Sequence, residues 1–188
     1  MKAVLISIQQ EWCSKIARGE KKIEVRKTTP KLTPPFKCYI YCTKSKKYRR
    51  FGELDKALGG GMVIGEFVCE KLCWVLAHHS IFAGYPTFFQ KAIDDSCLTQ
   101  EEVEAYSGGK DVFGWEISQL KIYDEPKNLS EFRNPCREYQ RENPQCGNCD
   151  FYRTQGEYPA ECACEGAKPI MRAPQSWCYV EDLQDAVT

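Results

Sequence analysis

The sequence predicts an α+β fold, one small domain of short strands and short helices with an irregular segment near its C-terminal end. Three observations lead there. β-rich runs recur along the chain, broken by short stretches of helical periodicity. A length of 188 residues suits one domain with a small appendix. Hydrophobic residues at 43%, aromatic at 12% and charged at 28% allow enough apolar burial to offset the entropy of ordering, which excludes disorder as the main state.

Taken in order, Ala3 to Ile8 reads as a strand. Trp12, Cys13, Ile16 and Ala17 then recur at helical spacing until Gly19 supplies a stop. From Lys22 to Arg26 polar and apolar residues alternate, so Ile23 and Val25 face a core while Lys22, Glu24 and Arg26 face away. Pro30, Pro34 and Pro35 interrupt the chain before a third strand, Lys37 to Thr43, and a basic loop follows. Three glycines at 59–61 precede Met62 to Leu76, which reads as one strand or a bent pair.

Phe88, Phe89, Ala92 and Ile93 then share a helical face, and Thr99 with Glu102 forms a capping box for a short helix through Tyr106, ended by Gly108 and Gly109. Val112 to Ile117 and Leu120 to Tyr123 read as two strands with a turn near Ser118, and Ser176 to Val180 as a last one. Trp12, Tyr39, Tyr41, Trp115 and Trp177 are candidate stacking platforms for bases, though most sit at spacings that favour the core, and Trp74, inside a continuous apolar run, is expected in the core more firmly still. His78 and His79 read as a solvated turn.

The net charge of +0 conceals an imbalance. Residues 1–50 hold 14 Lys or Arg against Glu11, Glu20 and Glu24, a net of +11 that the rest of the chain cancels. Either the first quarter builds a polyanion-binding surface, or Lys44 to Arg50 is only a solvated face. No apolar stretch approaches the length of a membrane span, and Met1 to Gln10 is too short for a signal peptide, so a soluble, cytoplasmic protein is expected.

Five of the 12 cysteines fall between 136 and 164, inside a segment, 126–173, rich in Pro, Gly, Asn and Glu and without hydrophobic periodicity. Cys146-Gly-Asn-Cys149 is a Cys-x-x-Cys knuckle, separated by twelve residues from Cys162-Ala-Cys164 and by nine from Cys136. Thiolate groups separated by a short loop suit a structural zinc ion, with four of Cys136, Cys146, Cys149, Cys162 and Cys164 as ligands. Reduced surface thiols, or a redox or disulfide role, are the alternatives.

Gly19-Glu-Lys21-Lys-Ile-Glu24-Val-Arg26 places two cations and a carboxylate at a helix-to-strand junction. Such a set fits a planar polar group or a phosphate, since Arg offers a bidentate fork and Lys a point charge; the alternative is an exposed salt bridge of little value. This Gly-x-Lys-x-x-Glu-x-Arg pattern, after the strand Val4 to Ile8 and the helix with Trp12 and Ile16, resembles the signature of the ASCH family, whose fold is PUA-like. The resemblance spans about residues 2–125 and 176–181.

What the resemblance implies is a small mixed or antiparallel β-barrel flanked by short helices, occupying 1–125 and closed by a strand within 174–188, with the cysteine-rich stretch 126–173 as an insert. It also implies a cleft that binds RNA or a nucleotide, for which Lys21, Glu24, Arg26, Lys44 and Trp12 are the ligand-binding candidates. One ASCH-like branch hydrolyses acetylcytidine with a Lys, a Thr and a downstream acid. Lys21 matches the Lys, Glu24 stands at the Thr, Asp94 or Asp95 is the candidate acid, and Thr28 or Thr29 would need a register shift. A hydrolase of a modified nucleoside or of RNA is therefore the alternative to a binding module, and an adaptor using the cysteine-rich insert is a third.

Overall fold

The computed structural model describes residues 2–44, 60–78, 86–135 and 168–183. Six strands form one mixed sheet: β1 (Lys2–Ile8), β2 (Ile23–Arg26), β3 (Phe36–Cys42), β4 (Val63–Leu76), β5 (Val112–Lys127) and β6 (Trp177–Glu181). Among the described residues, three α-helices accompany them: α1 (Gln10–Ala17), α2 (Pro86–Ser96) and α3 (Gln100–Ser107). The spatial order is β2-β5-β4-β3-β1-β6. β1 pairs with β3 in parallel and every other neighbour is antiparallel. Among the described residues, no helix is long and apolar enough to cross a membrane.

The sheet is not the closed barrel expected, because β2 and β6 stand at opposite ends of the ladder and exchange no ladder bonds. Side chains bridge the gap instead. Arg26 on β2 donates to the Ser7 carbonyl on β1 at 2.5 Å. The Trp177 indole on β6 donates to the Thr28 hydroxyl at 3.0 Å, and the Lys31 amide donates to the Tyr179 hydroxyl at 2.7 Å. Over this curl, Trp115 meets Phe36 edge-on at 5.8 Å and Trp177 at 5.9 Å.

Local chemistry explains the elements that match expectation. Gly19 takes a positive φ of 73° at the end of α1, and the Glu20 amide folds back onto the Lys15 carbonyl at 2.9 Å, so the chain turns at once into β2. At α3 the Thr99 hydroxyl accepts from the Glu102 amide while the Glu102 carboxylate accepts from the Thr99 amide, and left-handed Gly108 ends the helix.

Two differences have clear causes. The two strands expected around Ser118 are one, β5, because Gln119 adopts a φ of 47° and the ladder to β4 shifts register rather than turning. Trp74 is 38% exposed, not core, because alternation along β4 sends Val75 inward and Trp74 outward. Tyr39, Tyr41 and Trp115 are buried as expected.

β5 continues to Lys127, past the 125 expected as the barrel limit. Beyond it Phe132 and Ile170 pack with Tyr39 and Val180 in a core cluster on one side of the sheet, and Arg133 bridges to Pro169. The flanks of the irregular segment are thus pinned to the domain. The zinc expectation is corrected: among the described residues no group of His, Cys, Asp or Glu side chains could hold a metal ion. Cys136, Cys146, Cys149, Cys162 and Cys164 all lie outside the described residues.

Candidate functional site

The turn at Gly19 delivers Lys21 to the mouth of β2, and strand alternation then sends Glu24 and Arg26 to the same face. That face was expected to be the open one. It is covered, with Lys21 at 3% and Glu24 at 4% exposure, because α1, β1 and the curled sheet pack over it. The three side chains form one ion-paired cluster. Glu24 Oε1 lies 3.1 Å from Arg26 Nη2, and Glu24 Oε2 lies 3.6 Å from Lys21 Nζ.

Each cation has a second anchor far away in the chain. Lys21 Nζ donates to the Ser96 carbonyl at the end of α2, at 2.7 Å, and Arg26 Nη2 reaches the Ser7 carbonyl on β1. Trp12, half-buried on α1, lies under two ammonium groups, with Lys15 Nζ 4.8 Å and Lys21 Nζ 5.0 Å from its ring centroid. Opposite Glu24 in the β2–β5 ladder stands Trp115.

Burial sets the electrostatics. It pushes the Lys21 pKa below its ordinary value, and the nearby Glu24 carboxylate only partly restores it. Cys13, fully buried beneath the cluster, has its thiol pushed well up, first by burial and then by its hydrogen-bonded neighbour Cys42. Among the described residues, three buried polar side-chain atoms are left without a hydrogen bond: Glu24 Oε2, Arg26 Nε and Trp115 Nε1.

The cluster brings together Lys21, Glu24, Arg26 and Trp12 of the predicted set. The other predicted residues lie elsewhere. Lys44 is exposed at the end of β3 and drapes over Gly61. The Asp94 carboxylate accepts from Gln90 and that of Asp95 pairs with Lys91, both along α2; only the backbone around them meets the motif, through Asp95 O to the Lys22 amide and Ser96 O to Lys21. Thr28 is held by Trp177. His78 bonds Ser107, while His79 lies outside the described residues. Sequence reasoning missed Ser96, Ser7 and Cys13 as partners of the motif, and no local pattern marks them, since two of them act through backbone carbonyls.

No family model matches the sequence, and no curated protein matches it. Solved structures do. The crystal structure of ASCH from Zymomonas mobilis superposes with a TM-score of 0.55 at 16% identity, covering 97% of this chain and 90% of that one. A tyrosine-to-phenylalanine mutant of that protein gives 0.55 at 16% identity, covering 98% and 94%. A serine-to-alanine mutant gives 0.55 at 15%, covering 97% and 90%. The open six-stranded mixed sheet with its three helices is the fold of the ASCH domain proteins.

Proposed function

We propose that this protein is a binding module for RNA or a nucleotide, with its site built around Lys21, Glu24 and Arg26. The observation that supports this most is the unspent hydrogen-bonding capacity inside a buried charge cluster. Buried ions are costly, and a purely structural cluster is expected to use all its donors and acceptors. Arg26 Nε is buried without a hydrogen-bond partner, and Glu24 Oε2, also without one, is faced by the Lys21 ammonium at 3.6 Å. A planar polar edge, such as that of a nucleobase, answers both at once. Trp12, already carrying two ammonium groups, adds an aromatic surface beside them, and the surplus of cations in residues 1–50 attracts a phosphate backbone.

Titration of single-stranded RNA at two salt concentrations tests the reading. Affinity falls as salt rises, and Lys44→Ala lowers the logarithmic slope by about 0.7 while weakening all sequences alike. Arg26→Ala weakens binding by about 1 to 3 kcal/mol in a manner that depends on base identity or modification. No binding at low salt, or an Arg26→Ala protein that binds every RNA as the wild type does, overturns the proposal.

One observation favours the hydrolytic alternative in the same place: burial favours the neutral amine of Lys21, the form that accepts a proton. Product formation from RNA or a modified nucleoside that disappears in Lys21→Ala would select it over binding alone.

A further inference from the structure

The charge cluster has an aromatic continuation on its own face of the sheet. In the β2–β5 ladder Glu24 stands opposite Trp115 and Arg26 opposite Phe113, and in the β4–β5 ladder Leu72 stands opposite Trp115 and Trp74 opposite Phe113. Side chains directly opposite one another share a face. Two rows therefore cross this face side by side, one of Glu24, Trp115 and Leu72, the next of Arg26, Phe113 and Trp74. Exposure rises across them, from 5% and 12% for the Glu24 and Arg26 side chains to 38% for Trp74, so the cover over the cluster has ended where the second row reaches β4.

A single exposed apolar side chain needs no explanation, but Trp74 is held in place. Its ring centroid lies 4.7 Å from that of Phe113 with the planes tilted by 40°, and Phe113 is itself half-buried, so the indole has little freedom to lose when a ligand stacks on it. Phe113 also stands between the indole and Arg26, in a row that spans two strand spacings, about 10 Å. A base held by the Arg26 fork leaves the next base of the same strand within reach of Trp74.

We propose that the site takes a single strand of RNA and not an isolated nucleotide, with one base at Lys21, Glu24 and Arg26 and the adjoining base stacked on Trp74, which rests on the reading of the motif cluster as a nucleotide site and names its ligand class. Every nucleobase has a stacking face, so the Trp74 position binds without preference for sequence. The Arg26 position meets base edges and discriminates among them.

Calorimetric titration of the full chain with ribonucleoside monophosphates, and then with dinucleotides that add each base in turn to either end of the tightest of them, tests the strand. The better dinucleotides bind about tenfold more tightly than the mononucleotide, and alike whichever base is added. Trp74→Ala removes most of that gain. Trp74→Phe, which keeps a ring against Phe113, retains part of it, so a folded variant remains to be read. Met171→Ala, which trims an apolar side chain more exposed than Trp74 but outside the row, leaves the gain intact. A mononucleotide bound through Arg26 with no gain from a second base, or a gain that survives Trp74→Ala, overturns the strand and leaves the nucleotide site standing. Failure of mononucleotide and dinucleotide alike to bind overturns both. A wild type that sediments as a dimer, beside a Trp74→Ala protein that sediments as a monomer, gives the ring pair to a second copy of the chain and overturns the strand as well.

Discussion

The Lys21 ammonium donates to the Ser96 carbonyl at 2.7 Å across 75 residues of sequence. This bond ties the mouth of β2 to the last residue of α2 and holds a cation where only 3% of the residue meets solvent. The helix end suits that role, since its terminal carbonyls lack intrahelical partners and carry the negative end of the helix dipole. Lys21 is thereby positioned rather than free to sweep through solvent, and its charge becomes a question of pH.

Lys21 titrates below its unfolded value because burial disfavours the ammonium. In the window between the folded pKa and the ordinary lysine value, the unfolded chain binds more protons than the folded one, so stability rises with pH there. Relative to Lys21→Met, the wild type therefore gains stability as pH climbs through that window towards the ordinary lysine value. Urea unfolding of both proteins across that range checks it, and a constant difference would contradict the burial of the charge.

Glu24→Gln leaves Lys21 and Arg26 buried without their counter-ion. Removing one member of a buried ion pair costs about 3 to 5 kcal/mol, against about 1 kcal/mol or less for an exposed pair. A fall within the larger range in denaturant unfolding is expected. A loss below about 1 kcal/mol would place the cluster in solvent.

Gly65 pairs with Ile40 on β3 and Ile122 on β5 in the middle of the sheet. A Cβ there would run into the Lys121 carbonyl oxygen and come within 3.1 Å of the Ile122 Cα, both backbone atoms of a paired strand that cannot step aside. Gly65→Ala destabilises by about 1 to 3 kcal/mol or more. A melting temperature equal to that of the wild type would show that β5 yields.

Acetylcytidine deacylation separates the hydrolytic branch from this chain. By the sequence resemblance Glu24 would stand at the place of the nucleophilic hydroxyl; its carboxylate is committed to two cations, and Thr28 is bonded to Trp177. Negligible release of cytidine is expected in a chromatographic assay. Turnover that vanishes in Lys21→Ala would reverse that expectation.

The sequence by itself determined the local pieces: the turn at Gly19, the Thr99–Glu102 box, the strand character of β1 to β4, and the placing of Glu24 and Arg26 on one face of β2. These depend on residues within a few positions of one another, where helical and strand periodicities and capping hydrogen bonds act. Tertiary structure decided the rest. Whether that face of β2 meets water depends on α1 and β1 folding across it, so a strand with a polar face became one with a buried charge cluster. Whether the sheet closes depends on its curl, and Arg26 to Ser7 and Trp177 to Thr28 replace ladder bonds where the ends approach. Trp74 was hidden within an apolar run because hydrophobicity does not reveal which of two adjacent side chains, Trp74 or Val75, the strand turns inward. Partners such as the Ser96 and Ser7 carbonyls carry no signature at all, since every residue has one and only the fold chooses which is used.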